Sequence, residues 1–236
     1  MLDPKLFSQG EVISYFDMCK EEGGQRLQRG MNYRSINKYS ILLSSTRTDS
    51  PYEDEVVDDG RNLIYEGHDV PRSKRTPNPK EVDQPMHTKT GKFTQNGLFF
   101  EAAHKYISGT TSAEIVRVYE KIDYGIWVFE GNFFLVDAWF TESGKRKVFK
   151  FKLSLIDKGE KISKPESKQS LGRIIPSVVK KEVWDRDKGR CTECGSEEDL
   201  HFDHIIPYSK GGSSRTLDNI QLLCASHNLK KGSKII

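Results

Sequence analysis

The chain has 236 residues, of which 35% are hydrophobic and 30% charged, with a formal net charge of +3. This length allows one or two domains, and so small a charge does not by itself indicate a nucleic-acid partner. The sequence predicts neither a membrane span nor a signal peptide, because it lacks both a run of about 18 apolar residues and a basic N-terminus followed by an apolar core.

Short runs of β-branched and aromatic residues, broken by Gly, Asp and Asn, predict strands in the first two thirds of the chain. The runs are Tyr39–Leu43, Leu63–Tyr65, Val116–Tyr119, Gly125–Phe129, Phe133–Phe140 and Val148–Leu153. Apolar residues at helical spacing predict helices at Glu11–Glu22 and Gly97–Ile107. These patterns favour a strand-dominated α+β domain over residues 1–153, with an N-terminal extension at 1–34.

One stretch of this domain carries an acidic and aromatic motif. It reads Ser50-Pro51-Tyr52-Glu53-Asp54-Glu55-Val56-Val57-Asp58-Asp59-Gly60 and continues through Tyr65-Glu66-Gly67. Further motifs follow in order: Val82-Asp83-Gln84, Thr94-Gln95-Asn96-Gly97-Leu98, Val116-Arg117-Val118-Tyr119 and Asp123-Tyr124-Gly125-Ile126-Trp127. Over about residues 35–153 this order resembles the SRA (SET- and RING-associated) family. The resemblance implies a curved, PUA-like β-barrel with flanking helices that flips a modified cytosine out of duplex DNA.

A flipped base needs aromatic faces to stack on and polar groups for its Watson–Crick edge. The resemblance assigns the stacking positions to Tyr52 and Tyr65; the alternative is that both are ordinary core aromatics. A carboxylate can accept a hydrogen bond from the cytosine N4 amino group. The family's aspartate falls at Glu55, but this chain has one extra residue between Tyr52 and Gly60. Asp54 and Glu55 therefore both stay candidates for reading the base.

A linker is predicted at residues 154–174. Ser154–Ser170 is rich in lysine, glutamate and serine and contains Pro165, a composition typical of connecting segments. Residues 161–236 hold 14 Lys+Arg against 10 Asp+Glu, whereas the remainder holds 23 against 24. The mild basic bias therefore lies in the predicted second domain, residues 175–236.

The second domain is predicted to contain a helix, a hairpin and a short final helix. Apolar residues recur at helical spacing in Ser177–Asp187, behind a proline suited to a helix start. The hairpin carries Asp203 and His204, with Gly211-Gly212 as a break between its strands. The final helix covers Cys224 to Lys231.

Two short ligand pairs in this domain predict a zinc site. Cys191 and Cys194 form one pair, and Cys224 and His227 form a second with the same spacing. Zinc prefers four such ligands in a tetrahedron, which leaves no open position and makes the ion structural. A domain of fewer than about 60 residues benefits from such a metal because its own core is small. The fourth cysteine, Cys19, is unpaired, and zinc thiolates with a free cysteine suit a reducing cytoplasm.

Oxygen and imidazole side chains in the same stretch predict a second metal site. Asp203 and Asn228 offer the oxygen ligands that Mg²⁺ or Mn²⁺ prefers. His204 beside them can take a proton from water near neutral pH. Nearby basic residues are predicted to contact DNA phosphates, the alternative being a merely solvated surface; they are Lys210, Arg215, Lys230 and Lys231.

The motif order over about residues 175–236 is similar to that of the HNH endonucleases, or ββα-metal nucleases. The resemblance implies that Asp203 and Asn228 hold the catalytic metal and that His204 is the general base. It also implies that Asn219 braces the loop that presents the histidine. His227 is a departure, since many zinc-bearing members have cysteine there, but zinc accepts either ligand.

An SRA-like reader joined to an HNH domain resembles the modification-dependent restriction endonucleases of bacteria. The resemblance implies cytoplasmic cleavage of double-stranded DNA that carries 5-methyl- or 5-hydroxymethylcytosine, with Mg²⁺ or Mn²⁺ for catalysis and structural Zn²⁺. Two alternatives stay open: an endonuclease for an unmodified site, and a non-catalytic reader of modified DNA. A homodimer is expected because one HNH motif cuts one strand, and two-fold symmetry supplies the second cut.

Overall fold

The computed structural model describes residues 7–24, 26–27, 29–34, 39–45, 52–156 and 173–235. Within them the chain forms ten strands and four α-helices, which confirms the predicted α+β class. The strands are β1 (Glu11–Ser14), β2 (Met31–Asn32), β3 (Ser40–Ser44), β4 (Glu55–Val57), β5 (Asn62–Glu66), β6 (Glu114–Asp123), β7 (Ile126–Ser143), β8 (Arg146–Leu155), β9 (Leu200–His204) and β10 (Ile220–Cys224). The helices are α1 (Tyr15–Glu21), α2 (Gln95–Ile107), α3 (Ser177–Asp187) and α4 (Ala225–Lys231).

These ten strands belong to one sheet. Its main path runs β10–β9–β1–β7–β6–β3–β2, and β8, β5 and β4 branch from β7. The branch exists because β7 is 18 residues long: its first part pairs with β1 and β6, and its second part with β8. The sequence predicts two strands here, Gly125–Phe129 and Phe133–Phe140. The structure has a single strand, because Gly131 and Asn132 continue the pairing with β6 instead of forming a turn.

Helix α2 packs against this sheet and organises the main core. The Thr94 side chain caps the helix by accepting a hydrogen bond from Gly97 N at 3.2 Å. Phe99, Ala102 and Ala103 share one helix face and are buried with residues of β2, β3 and β5–β8. Strands of the main path and strands of the branch therefore pack in one core with α2. The predicted helix is confirmed and begins two residues earlier than expected.

The helix predicted at Glu11–Glu22 is wrong for its first four residues. These form β1, because Val12 and Ile13 pair with the start of β7. Helix α1 begins only after Ser14, whose Oγ accepts a hydrogen bond from Asp17 N at 3.1 Å. Pairing with a distant strand thus overrides the local helical spacing of apolar residues.

The C-terminal part contains the predicted helix, hairpin and final helix. Helix α3 has the predicted bounds, and β9 pairs with β10 so that His204 lies opposite Ile220. Helix α4 follows Cys224 as its N-cap and ends at Lys231. Across the described part of the chain, every helix is too short or too polar to cross a membrane.

The two parts of the chain meet in the sheet, where β9 pairs with β1 at His201 and Glu11. Strand β8 ends at Leu155, two residues beyond the boundary predicted at 153. Most of the predicted linker, residues 157–172, lies outside the described residues, as do residues 1–6 of the predicted extension. The division of the chain into two domains stays a prediction.

Candidate active site

The four predicted zinc ligands converge beside the C-terminal hairpin. Cys191 and Cys194 lie in the turn before β9, and Cys224 and His227 lie at the start of α4. Their ligand atoms all lie within 4.8 Å of one another. Cys224 Sγ is 3.3 Å and Cys191 Sγ 3.5 Å from His227 Nδ1, and Cys194 Sγ is 3.9 Å from Cys224 Sγ.

These separations fit a zinc ion. Tetrahedral Zn–S and Zn–N bonds place ligand atoms roughly 3.5–3.8 Å apart. Burial opposes ionisation of Cys191, but backbone N–H groups of Cys224, Cys194 and Glu193 point at its sulfur and lower its pKa to about 6. The thiolate that zinc requires therefore forms readily at neutral pH. The four side chains can hold a zinc ion with no coordination position left open.

His204 ends strand β9, next to the loop that leads to β10. Its Nε2 lies 2.8 Å from the Oγ of Ser214, which is buried in that loop. Burial lowers the pKa of His204; the charge of Asp203 opposes this effect, and the charge of Lys231 adds to it. The imidazole is therefore uncharged at neutral pH. In the tautomer whose Nε2–H donates to Ser214 Oγ, Nδ1 is the nitrogen that can take a proton.

Asp203 is held by a buried lysine. Lys231 Nζ lies 2.8 Å from Asp203 Oδ2 and donates a hydrogen bond to the carbonyl oxygen of His204. The Asp203 Oδ2 atom is buried and, among the described residues, accepts no hydrogen bond of good geometry. Lys231 is only 2% exposed, which contradicts the prediction that it contacts DNA phosphates. It belongs to the interior of the site.

Asn228 lies three residues before Lys231 on α4, so the two residues share one helix face. Helix α4 packs against β9, the strand that carries Asp203 and His204. The amide oxygen of Asn228 and the carboxylate of Asp203 are oxygen ligands of the kind that Mg²⁺ or Mn²⁺ prefers. These ligand types suit a hard divalent cation, and its binding by Asp203 and Asn228 stays a prediction.

Asn219 ties together the loop between β9 and β10. Its Oδ1 accepts a hydrogen bond from Ile206 N at 2.8 Å, and its Nδ2 donates to the carbonyls of Ile206 and Ser213 at 3.0 and 2.9 Å. A Cβ at Gly212 would stand 1.7 Å from Ile206 O, so only glycine fits there. This loop carries Ser214, the partner of the imidazole. The bracing role expected of Asn219 thus has a structural basis.

Replacing Asn219 with alanine is expected to loosen this loop and to lower the free energy of unfolding by about 1–3 kcal/mol, because buried backbone groups lose their partners. Urea denaturation and hydrogen exchange of residues 205–214 measure the two effects. Asp218→Ala changes the exposed neighbour and is the matched control. Unchanged loop exchange in Asn219→Ala would contradict the bracing role.

The other three predicted phosphate contacts are exposed: Lys210, Arg215 and Lys230. Arg215 Nε lies 3.8 Å from Asp59 Oδ1, and both side chains are largely in solvent, so this pair is weak. All three side chains can reach a ligand at the surface. Their contact with DNA stays a prediction.

The four residues predicted to contact a base lie around β4 and β5 but differ in burial. Tyr65 is 2% exposed and belongs to the core around α2, and its hydroxyl donates to a carbonyl of β3. Tyr52 is half-buried, with its ring stacked on His68 at a centroid distance of 6.3 Å. Glu55 is exposed, whereas Asp54 is half-buried with an enclosed carboxylate. Tyr52 is therefore the more accessible of the two aromatics.

Both carboxylate oxygens of Asp54 are hydrogen-bonded. Oδ2 accepts from Ser44 Oγ at 2.8 Å, and Oδ1 accepts from Glu66 N at 2.9 Å. Burial raises the pKa of Asp54 to about 7, although these bonds and the charge of Lys150 act to lower it. A carboxylate can accept a hydrogen bond from cytosine N4, and a protonated carboxyl group can donate one to N3. Asp54 and Glu55 thus differ in burial, and which of them reads a base stays a prediction.

A cavity of about 440 Å³ lies between β4 and the loop that follows β9. Asp54, Glu55 and Asp59 line it on one side, and Ser214 and Arg215 line it on the other. The acidic residues predicted to read a base and the loop that orients the histidine thus face the same space.

The HNH endonuclease family model matches residues 191–234. This HNH segment contains every predicted metal ligand together with His204 and Asn219. The resemblance predicted for the end of the chain is therefore confirmed. No curated protein matches the chain.

Solved structures similar to the chain include SRA domains. The SUVH5 SRA domain in complex with hemi-methylated CG DNA has a TM-score of 0.44 and 23% identity, covering 65% of this chain and 90% of that chain. The same domain bound to fully hydroxymethylated CG DNA has a TM-score of 0.46 and 20% identity, covering 70% and 97%. The modification-dependent TagI restriction endonuclease has a TM-score of 0.44 and 16% identity, covering 96% and 78%.

Sequence reasoning missed three residues at these sites. Ser214 and the buried role of Lys231 give no signal in the sequence, because serine and lysine are common surface types and their partners are distant. His68 directly follows the Glu66-Gly67 end of the acidic motif, a position that could have marked it. Burial lowers the pKa of His68 to about 4, so its ring is uncharged beside Tyr52.

Proposed function

We propose that the protein is a modification-dependent DNA endonuclease, which recognises a modified cytosine in duplex DNA and hydrolyses a nearby phosphodiester. The site around His204 carries the proposal. It combines an uncharged imidazole beside Ser214 with the carboxylate of Asp203, which Lys231 holds, inside the HNH segment. The motif order that resembles SRA domains, together with the enclosed carboxyl group of Asp54, supports the reading of a base.

Asp203 and Asn228 would hold a divalent cation, which when bound supplies stabilisation of negative charge on the scissile phosphate and the 3′ leaving oxygen. His204 accepts a proton from the attacking water at Nδ1, in the tautomer whose Nε2–H donates to Ser214 Oγ. Lys231 bonds to the His204 carbonyl and pairs with Asp203, so it fixes the relative position of base and ligand. Zinc at the cysteine and histidine cluster is structural in this proposal.

Asp54→Ala is expected to weaken binding to a duplex carrying 5-methylcytosine by about 5- to 150-fold, equivalent to the loss of about 1–3 kcal/mol of base-specific bonding. Binding to the unmodified duplex should change far less. Glu55→Ala alters the exposed neighbour and is the matched control, expected to bind within about twofold of wild type. Fluorescence anisotropy on the two duplexes measures both. Equal losses on both duplexes would mean that Asp54 only supports the fold.

A digest of matched duplexes tests the proposed function directly. The substrates carry cytosine, 5-methylcytosine or 5-hydroxymethylcytosine at otherwise identical positions, with Mg²⁺ added. We expect cleavage only of a modified substrate. Equal cleavage of all three would indicate an endonuclease for an unmodified site, and binding without cleavage would indicate a non-catalytic reader.

We also propose that the protein acts as a homodimer on DNA. The chain holds a single HNH motif, and one such site cuts one strand at a time. Two-fold symmetry is the simplest way to place a second site on the opposite strand. Light scattering with and without modified duplex measures the assembly. A monomer in both conditions that only nicks DNA would reject the dimer and leave the catalytic assignment intact.

A further inference from the structure

Strands β1–β8 with helices α1 and α2 form the part of the chain proposed to read the base, here called the reader. Strand β1 joins the reader to the HNH segment by backbone hydrogen bonds. It pairs with β7 on one side and β9 on the other. Just before it, Gly10 donates to Phe129 O and accepts from Phe202 N, both at 2.9 Å. Gly10 has a φ of +81°, and a Cβ there would stand 2.8 Å from Phe202 O, so this close approach requires glycine. The HNH hairpin is thus an extension of the reader's sheet.

The two parts also share an apolar core. Ile122 of β6 and Val128 of β7 lie in one buried cluster with Val183 of α3, Phe202 of β9 and Leu222 of β10. Moving the HNH segment away from the sheet would expose these side chains to water. Apolar burial therefore opposes relative movement of reader and HNH segment.

A buried ion cluster anchors helix α3 on the reader. Lys180 is 1% exposed, and its Nζ bonds to Glu120 of β6 and to Glu130 of β7. Burial acts to lower the pKa of Lys180, but the two carboxylates raise it above its ordinary value. Burial in turn raises the pKa of Glu130 to about 7. A shift of α3 that keeps it on the sheet would separate buried Lys180 from its two carboxylates, and an unpaired buried charge is strongly unfavourable, so the cluster favours one position of α3.

A fourth contact lies at the loop between β9 and β10, which carries Ser214. The Tyr208 hydroxyl donates to the Asp59 carboxylate, and the Arg173 guanidinium lies 4.2 Å from the centre of the Tyr208 ring. Ile174 N donates to Gly60 O at 2.8 Å. The turn that follows β4 therefore touches the same loop.

We propose that this fixed docking, and not the length of the segment 157–172, sets the distance along DNA between the modified cytosine and the cleaved phosphodiester. Lys180, Glu120 and Glu130 are positioning residues, because they act through the placement of α3. This inference rests on the proposed function. It implies one preferred cut position on each strand instead of a spread.

An insertion in the segment 157–172 lengthens the linker but leaves the docking contacts unchanged. It therefore tests which of the two sets the cut position. Eight glycine and serine residues added after Ser167 would extend a flexible tether by up to about 26 Å, or roughly eight nucleotides of one strand. The full chain is incubated with an end-labelled duplex carrying one modified cytosine, and the products are sized to one nucleotide. We expect the wild-type cut position to be unchanged. Cuts spread over several nucleotides would overturn the proposal.

Variants of the ion cluster test the positioning residues. Lys180→Met should spread the cuts over neighbouring phosphodiesters, and adding Glu120→Gln and Glu130→Gln to it should restore one position by removing the unpaired charges. Lys181→Met is the control: Lys181 lies on the same helix as Lys180, and its pairs with Asp123 of β6 and Asp185 of α3 are exposed and therefore weak.

Circular dichroism shows first which variants fold. A folded Lys180→Met protein that cuts at the single wild-type position would remove the positioning role from the cluster. Where Lys180→Met does not fold, the insertion variant decides the proposal. Failure of the wild-type protein to cut any modified duplex would reject the proposed function instead.

Discussion

Replacing His204 with alanine is expected to lower the rate of DNA cleavage by at least about 10²- to 10⁴-fold, the usual contribution of a positioned general base. DNA binding should persist, because the imidazole is half-buried and its only described side-chain partner is Ser214. Single-turnover cleavage and anisotropy binding on the same modified duplex separate the two effects. His87→Ala, which removes a histidine in the other part of the chain, is the control. Cleavage by His204→Ala at more than a few per cent of the wild-type rate would contradict the assignment.

The pH dependence of cleavage checks the same assignment. Burial lowers the pKa of His204 below its ordinary value of 6.5. The imidazole accepts a proton only in its neutral form, so the rate should be level at neutral pH and fall as the pH drops through the lowered pKa. A single-turnover pH–rate profile measures this. A rate that rises toward acid would be inconsistent with His204 as the base.

Most of the HNH site could be predicted from the sequence, because metal ligation demands particular residue types at particular spacings. Cys191 and Cys194 are brought together by a turn, and Cys224 and His227 by the start of a helix. Both the turn and the helix start are local structures that a sequence pattern can indicate. Asn219 followed from the resemblance, and the structure supplies its hydrogen bonds.

The base-reading residues were harder to predict because a strand pattern does not show which face meets a ligand. The position of Tyr65 in its strand pattern suits a core residue and a pocket residue equally well. Only the packing of α2 places its side chain in the core. The choice between Asp54 and Glu55 likewise depends on Ser44, which belongs to another strand.

Docking of the two parts could not be predicted at all. Lysine at position 180 resembles any charged residue of a surface helix, and its carboxylate partners are 50 and 60 residues away in sequence. Strand β1 was predicted as part of a helix, because the apolar residues of Glu11–Glu22 recur at helical spacing. Contacts of this kind depend on the assembled sheet, because no local propensity encodes them.

Replacing Cys191 with serine is expected to remove zinc and to unfold the HNH segment. Apparent binding free energies of structural zinc sites are about 10–16 kcal/mol at neutral pH, and such a metal supplies much of the folding free energy of a small segment. Cys191 is buried beside His227. Loss of the metal would therefore leave the remaining ligand side chains in the hairpin core without an ion to bind. Catalysis should disappear with the hairpin that carries His204.

Elemental analysis should find about one zinc per wild-type chain and less than about a tenth as much in Cys191→Ser, as a four-ligand site requires. Limited proteolysis should cut the variant within residues 177–235 and spare β6–β8, whose core around α2 contains no zinc ligand. Cys19→Ser is the matched control, because Cys19 is buried in a separate cluster and should leave zinc and activity unchanged. A zinc-free preparation with full Mg²⁺-supported activity would show that these four residues do not form a structural metal site.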